Sequence, residues 1–441
     1  MKPLQRIARL SAAFLTSNLA RGAIGFALAL ALARGLGVER FGRWILCTTW
    51  ASTLTVVVDL GFGVLLARDG ARADARHGHL LAGALAARLV ALIPLAAILC
   101  IAAPALASEP ESIAGLRLAA LVAFAGAAYG CVGAIFRSQP AWLPAILAIE
   151  TAWAAVQMGA AWLLVRAGAG IPALLLLMTS VQVAQFASAM ALWRRAFDAD
   201  AVRQPRLHDV AALVRRALPF AATGLVANLQ TRLAPLMLGF LSTQTEVGAL
   251  AAAARFGTLA RLAPGAMFTG ALPVLSREYS TDRISAGRTH AAFDRALVLM
   301  AIAIALPLMA FAGPLVRLVY GSSFAAAGPV LIWVGIALVP SLTNSARKIS
   351  LYALQQEATA LRWSAVSLAL QIAAGAVLIP SLGAVGAAAA VAAAEAVIWI
   401  PLRRAARPRR FLQNDAPSTP NHAALPMPER WPQSATVVAD R

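Results

Sequence analysis

Apolar residues come in long unbroken runs, with polar residues confined to short stretches between them. The runs are too long for half-buried strands and lack the polar stripe of a soluble surface helix. Twelve of them are long enough to cross a hydrocarbon core ~30 Å thick. They cover about residues 10–33, 44–67, 80–107, 118–136, 143–165, 171–193, 217–241, 247–275, 296–318, 328–350, 359–380 and 384–401. The pattern predicts an all-α polytopic membrane protein with twelve transmembrane helices.

Composition agrees. Of the 441 residues, 60% are hydrophobic and 13% charged, whereas a soluble domain carries about 25% charged residues. The formal charge of +19 does not point to nucleic acid, because the basic residues punctuate apolar runs and form no separate polar domain. Lys2, Arg6 and Arg9 precede the first run as they would in a signal peptide. That run exceeds an h-region of roughly 7–15 residues, so it is expected to stay as the first span.

The connections carry a charge bias. With the N-terminus inside, 27 Lys and Arg fall on the inner side and six on the outer. Both termini of this multi-pass chain are therefore expected on the cytoplasmic side. Trp44, Trp142, Trp162, Trp193, Trp363 and Trp399 stand at predicted span ends, where an amphipathic ring prefers to sit.

The longest internal connection, 194–216, separates two sets of six spans. The expected domains are an N-terminal six-helix bundle (1–200), a C-terminal six-helix bundle (201–402) and a basic cytoplasmic tail (403–441). The two sets echo each other. "NLARGAIGF" at Asn18 is matched by "NLQTRLAPLMLGF" at Asn228, and "GVERFG" at 37–42 by "TQTEVG" ending at Gly248. "AAVQMGAA" around Gln157 is matched by "LALQIAAG" around Gln371. Six spans per half is an even number, so the repeats are expected to have parallel topology.

Within the spans lie Arg21, Arg88, Arg232, Arg255 and Arg261 against Asp59, Glu150 and Glu395. A charge at the bilayer centre costs about 2.5–3.5 kcal/mol on insertion scales, so such groups face a bundle interior or a watery cavity. Arg88 is placed within snorkelling reach of the inner surface, Glu150 is read as structural, and Asp59 as the counter-ion of a nearby arginine. Arg21 and Arg232 stand near mid-membrane in the first span of each half, one turn from Asn18 and Asn228. This arrangement predicts a central cavity with Arg255 and Arg261 added to it. Positive charge in surplus favours an anionic cargo bearing phosphate or carboxylate, for which guanidinium offers a fork of donors.

Other chemistry is not encoded. Cys47, Cys100 and Cys131 lie in apolar segments as buried free thiols, and His77 and His79 form a pair without acidic or cysteine partners. There is no GxGxxG, GxSxG, Walker loop or HExxH, and the chain is not expected to be an enzyme, to bind nucleic acid or to hold a metal.

"ALARGLGVERFGRW", "DLGFGVLLAR", "VGALAAAARFGTLARLAPGAMFTGALPVLSREY" and "LVRLVYGSSFAAAGPVLIW" resemble, in order, the polysaccharide-biosynthesis (Wzx-type) oligosaccharide flippases of the MOP, or MATE-like, superfamily. The resemblance covers about residues 5–400. It implies two six-helix bundles facing each other in a V. It also implies alternating access driven by a proton or sodium gradient, and a cationic lumen for the pyrophosphate and sugars of a polyprenyl-linked oligosaccharide. Arg21, Arg232, Arg255 and Arg261 match the basic lumen positions, with Asn18 and Asn228 beside them. Many relatives carry an acid near Ala234 and a tyrosine near Leu250. Without them, Asp59 or Glu395 is left for charge pairing or ion coupling. Membrane lipid, a lipid-linked glycan and other glycan-assembly membrane proteins are the partners implied. The alternatives are a MATE-like exporter of small molecules, a membrane-bound glycan polymerase or glycosyltransferase, and a scaffold for glycan assembly.

Overall fold

The computed structural model describes residues 3–59, 61–71, 77–107, 109–197, 207–262, 264, 283–354 and 356–405. Among them every regular element is helical: α1 (Pro3–Asp59), α2 (Phe62–Gly70), α3 (His77–Leu106), α4 (Pro110–Ser138), α5 (Leu143–Arg166), α6 (Ile171–Ala196), α7 (Leu207–Leu241), α8 (Gln244–Ala260), α9 (Arg283–Ala310), α10 (Ala312–Tyr320), α11 (Ala327–Ala353) and α12 (Glu357–Ala405). Eight of these are long and apolar enough to cross a membrane.

Two helices each supply two spans. A straight helix of the 57 residues of α1 would run about 85 Å at 1.5 Å per residue, far beyond one bilayer. Gly37 breaks it at φ 76°, and Gly383 breaks α12 at φ 54°. Both sit in the positive-φ region that a Cβ disfavours. The first arm of α1 is the first predicted span, and its second arm opens the second. The arms of α12 are the eleventh and twelfth.

The second predicted span, 44–67, is divided. The chain turns at Gly61, φ 80°, and the carboxylate of Asp59 accepts from the Gly63 amide at 3.3 Å. The ninth divides at Phe311 into α9 and α10. The eighth, 247–275, is described as far as residue 264; its remainder lies outside the described residues, as do 406–441 of the expected tail and the expected domain boundary near residue 200.

The described helices belong to one compact unit. In the first half, α4 is the most enclosed helix, with Ala119, Ala120, Ala123 and Ala127 buried against α1, α3 and α6. In the second, the alanine-rich arm of α12 packs on α11. Small residues let helix axes approach where no water-driven force brings them together. Large apolar side chains such as Ile101, Leu318 and Val377 point outward, as lipid-facing positions do.

Helix α1 runs along the seam between the halves, packing on α4 and α5 on one side and on α7 and α8 on the other. Where its second arm begins, it crosses the start of α8 with main chain against main chain. A Cβ on Gly42 would collide with the Gln244 carbonyl oxygen, and a Cβ on Gly248 with the Val38 carbonyl oxygen. Val38 stands four residues before Gly42, and Gln244 four before Gly248, so the approach is reciprocal. The Arg34 guanidinium reinforces this end, donating to the carbonyls of Val319 at 2.7 Å and Leu318 at 2.9 Å, at the last turn of α10. Phe41 meets Phe324 edge-on at 6.0 Å.

Candidate translocation site between the halves

At the opposite end of the second arm of α1, about 25 Å from Gly42 by helical rise, the halves part. A cavity of about 380 Å³ opens there, lined by Asp59, Arg88 and Arg137 of the first half and by Gly224, Leu225 and Asn228 of α7. Gly126 and Gly130 of α4 also line it; without side chains they leave the space open.

Two ionic groups line up in the first half. Arg88 is buried, 3% exposed. It pairs with Asp59, donates to the Ala127 carbonyl at 3.3 Å and lies over the Phe62 ring at 5.8 Å. It does not snorkel: the counter-ion expected of Asp59 is this arginine, and the pair keeps the guanidinium inside. The second group centres on Glu150 of α5, whose side chain is 5% exposed. Arg21, from the first arm of α1, pairs with one of its oxygens. The other accepts from Arg137 Nη1 at 2.6 Å and from the Tyr129 hydroxyl at 2.8 Å, both on α4. A carboxylate taken out of water demands such company.

The second half differs. Arg232 donates through Nε to Ser52 Oγ of α1 at 3.0 Å, and through Nη1 to Asn228 O at 3.1 Å and Oδ1 at 3.2 Å. Arg261 donates to Ser341 Oγ at 2.9 Å. Arg255, six residues earlier on α8, precedes Phe256, whose ring meets Phe26 of α1 at 6.2 Å. Among the described residues, no carboxylate lies within the 4 Å of an ion pair from Arg232, Arg255 or Arg261. Glu395 accepts from Asn344 Nδ2 at 2.8 Å and from Ser367 Oγ at 3.3 Å. Gln371, the echo of Gln157, donates to the Gln230 carbonyl at 3.4 Å and ties α12 to α7.

Of the six residues expected to line a shared cavity, Asn228 lines this one, together with Asp59, which was expected as a charge partner. Arg21, Arg232, Arg255, Arg261 and Asn18 are not among its lining residues, although Arg232 is bonded to Asn228 and Arg21 shares Glu150 with Arg137. Asn18 is half-buried, and no hydrogen bond joins it to Arg21, unlike Asn228 and Arg232. Sequence reasoning missed Arg137, placing it in a connection one residue beyond a span; the structure puts it in the last turn of α4. It also missed Tyr129 and Ser52, for which periodicity gives no signal. Among the described residues no group of His, Cys, Asp and Glu could hold a metal ion.

The fold is that of MOP-superfamily transporters, a multi-pass membrane architecture. The chain superposes on an inward-facing multidrug-resistance MATE family transporter with a TM-score of 0.70 at 13% identity, covering 90% of this chain and 96% of that one. It superposes on the lipid II flippase MurJ in an inward closed conformation with a TM-score of 0.71 at 13% identity, covering 88% and 86%. An outward-facing MATE family transporter gives 0.57 at 15% identity, covering 92% and 96%. These neighbours are transporters and flippases, not enzymes. The model of a family described as polysaccharide biosynthesis protein matches residues 8–278, more than half of the sequence, and the chain belongs to that family. No curated protein matches it in sequence.

Proposed function

We propose that the protein translocates a lipid-linked (polyprenyl-pyrophosphate) oligosaccharide across the bacterial inner membrane, for surface polysaccharide biosynthesis. The observation that carries this reading is the positive charge of Arg232 and Arg255 on α7 and α8, for which, among the described residues, no carboxylate stands within ion-pair distance; Arg261, at the end of α8, adds a third guanidinium bound to Ser341, with Glu395 acting on it from beyond that distance. Guanidinium groups kept in a membrane without an ion-pair partner await an anion from elsewhere. Family membership supplies the glycan.

With both termini cytoplasmic, the cavity opens inward and the Gly42–Gly248 crossing closes the outer end. The better superposition on the inward-facing MATE transporter than on the outward-facing one, 0.70 against 0.57, supports that assignment. Alternating access carries the headgroup across while the prenyl tail stays in lipid, driven by a proton or sodium gradient. Other glycan-assembly membrane proteins deliver and remove the cargo. A MATE-like exporter of cationic drugs fits the fold but not the charge, because its cargo would meet like charge at Arg232, Arg255 and Arg261.

Deletion of the gene tests the proposal. The expected result is loss of a surface glycan, with its lipid-linked precursor accumulating on the cytoplasmic leaflet. An unchanged glycan in the deletion strain, together with lost drug efflux, would establish the exporter instead.

A further inference from the structure

Helix α7 begins on one half and ends on the other. At Gln230 it is tied to the second half: Gln230 Nε2 donates to the Ser364 carbonyl of α12 at 3.2 Å, and Gln371 of α12 donates to the Gln230 carbonyl at 3.4 Å. Its start is docked on the first half instead. Leu213 and Ala217, one turn apart, are buried in one cluster with Phe62 and Leu65 of α2 and Leu81 of α3. Gly83 of α3 forms a socket there, since a Cβ on it would stand 3.1 Å from Leu213 Cδ2. Between the two attachments, Ala221, Gly224, Leu225 and Asn228 of α7 line the cavity, as Val64 and Ala67 of α2 do.

The ion pair at this docking site is suited to parting. Asp69, in the last turn of α2, has a side chain 5% exposed and holds two guanidiniums. Arg68 Nε lies 3.0 Å from one oxygen, and Arg216 of α7 donates to the other. Breaking an enclosed pair is costly when it strands a charge. Here it strands none, because Asp69 keeps Arg68 when Arg216 leaves, and Arg216 is already half-exposed. The Arg88–Asp59 pair is the opposite case, since its loss would leave an enclosed guanidinium. Pro219, two residues after Ala217, has no amide hydrogen to give the carbonyl one turn back. A Cβ on Gly224 would meet nothing within 4 Å. The helix is thus weakened where its docked start joins the cavity wall.

We propose that the start of α7 is a strap across the inner mouth of the cavity, fastened by Asp69–Arg216 and by Leu213 in its glycine socket, and that it detaches from α2 and α3 to admit the glycan headgroup. This rests on the reading of the cavity as opening inward to a lipid-linked glycan, and adds a moving part that makes no contact with the cargo. Detachment uncovers a small apolar face and returns Arg216 to water, so the strap closes again once the headgroup has passed.

The test uses the full-length protein with Cys47→Ala, Cys100→Ala and Cys131→Ala, to which Gly83→Cys and Leu213→Cys are added. The shorter side chain at 213 makes room for the new one at 83, and oxidation with copper phenanthroline joins the two and holds the strap down. Newly made surface glycan is expected to fall at least tenfold against the Gly83→Cys control under the same oxidant, and to recover on reduction. Export by the locked protein equal to that of the control would overturn the strap and leave the flippase reading standing. A second measurement needs no cargo. In the background without native cysteines, Ala221→Cys reports the cavity wall to a membrane-impermeant maleimide in inside-out vesicles. Arg216→Gln should raise its labelling rate at least threefold; a rate left unchanged would overturn the strap whatever the cargo is. If the double-cysteine protein exports nothing even when reduced, the labelling rate decides. Normal surface glycan in the deletion strain would overturn the flippase reading, and the labelling rate would then decide the strap by itself.

Discussion

Arg232 of α7 reaches across the seam to Ser52 of α1, with Nε 3.0 Å from the hydroxyl. It is a charge-assisted bond between the halves at a point where, among the described residues, no carboxylate pairs with the charge. An arginine kept mainly for packing would tolerate an uncharged replacement of similar length, whereas a cargo-binding arginine would not. Arg232→Gln is expected to reduce surface glycan at least tenfold with normal membrane levels, and Ser52→Ala to reduce it less than threefold. Immunoblotting of the protein and quantification of the glycan separate the two. Glycan export unchanged in Arg232→Gln would remove Arg232 from the cargo path.

The Arg88–Asp59 pair should behave as a structural unit. Removing one partner of an enclosed ion pair leaves an uncompensated charge and costs about 3–5 kcal/mol where both are buried. Asp59 is partly open to the cavity, so Asp59→Ala is expected at or below the lower end of that range. A thermal melt in detergent reads this as a drop of several degrees. The replacement of both residues together, Arg88→Met with Asp59→Leu, should recover most of the loss; a double variant no better than the worse single one would contradict the pairing.

The glycine crossing predicts an outer gate. Any side chain at Gly42 or Gly248 must push the second arm of α1 off the start of α8. Leu46, whose side chain packs against Gly239 of α7, reports the seam when replaced by cysteine. In the Leu46→Cys background, Gly42→Val should raise labelling by a membrane-impermeant maleimide from the periplasm and abolish export. Gly42→Val that leaves labelling and export as they were would show that this contact does not close the outer end.

Two carboxylates cap the last span of each half. Glu111 accepts from the Ile171 amide at 2.9 Å at the start of α6, while Arg40 holds it at 2.8 Å. Glu246 accepts from the Ala384 amide at 2.6 Å, where the second arm of α12 begins after Gly383. Removal of a side-chain cap costs about 1 kcal/mol, so Glu111→Ala and Glu246→Ala should each lower the melting temperature by a few degrees. Effects smaller than those of alanine substitutions at exposed lipid-facing positions would argue that neither cap matters.

Much of this architecture was legible in the sequence, because a span is a local property. As far as the described residues reach, the apolar runs fall in order on the arms of α1 and α12 and on the helices between them. The finer breaks were not: Gly61 sits in "DLGFG" among residues apolar enough to continue the second span, and its turn depends on a single positive φ. The partners of embedded charges are further out of reach. Arg21 and Glu150 are 129 residues apart, and nothing in either span's period says which acid an arginine will meet. The echo of 37–42 in the residues ending at Gly248 marked the place where the halves touch, though not that the glycines touch across the seam.

That crossing places equivalent residues of the two repeats against each other. The contact is reciprocal, as in an isologous pair, each segment meeting the other through the matching position. A Cβ is excluded at both glycines, whereas two residues earlier the side chains differ. Arg40 and Glu246 each stand two residues before their glycine; one now steadies the carboxylate that caps α6, and the other is itself the cap of the last span. The seam is thus alike on its two sides in main chain at the crossing and unlike in side-chain chemistry two residues away.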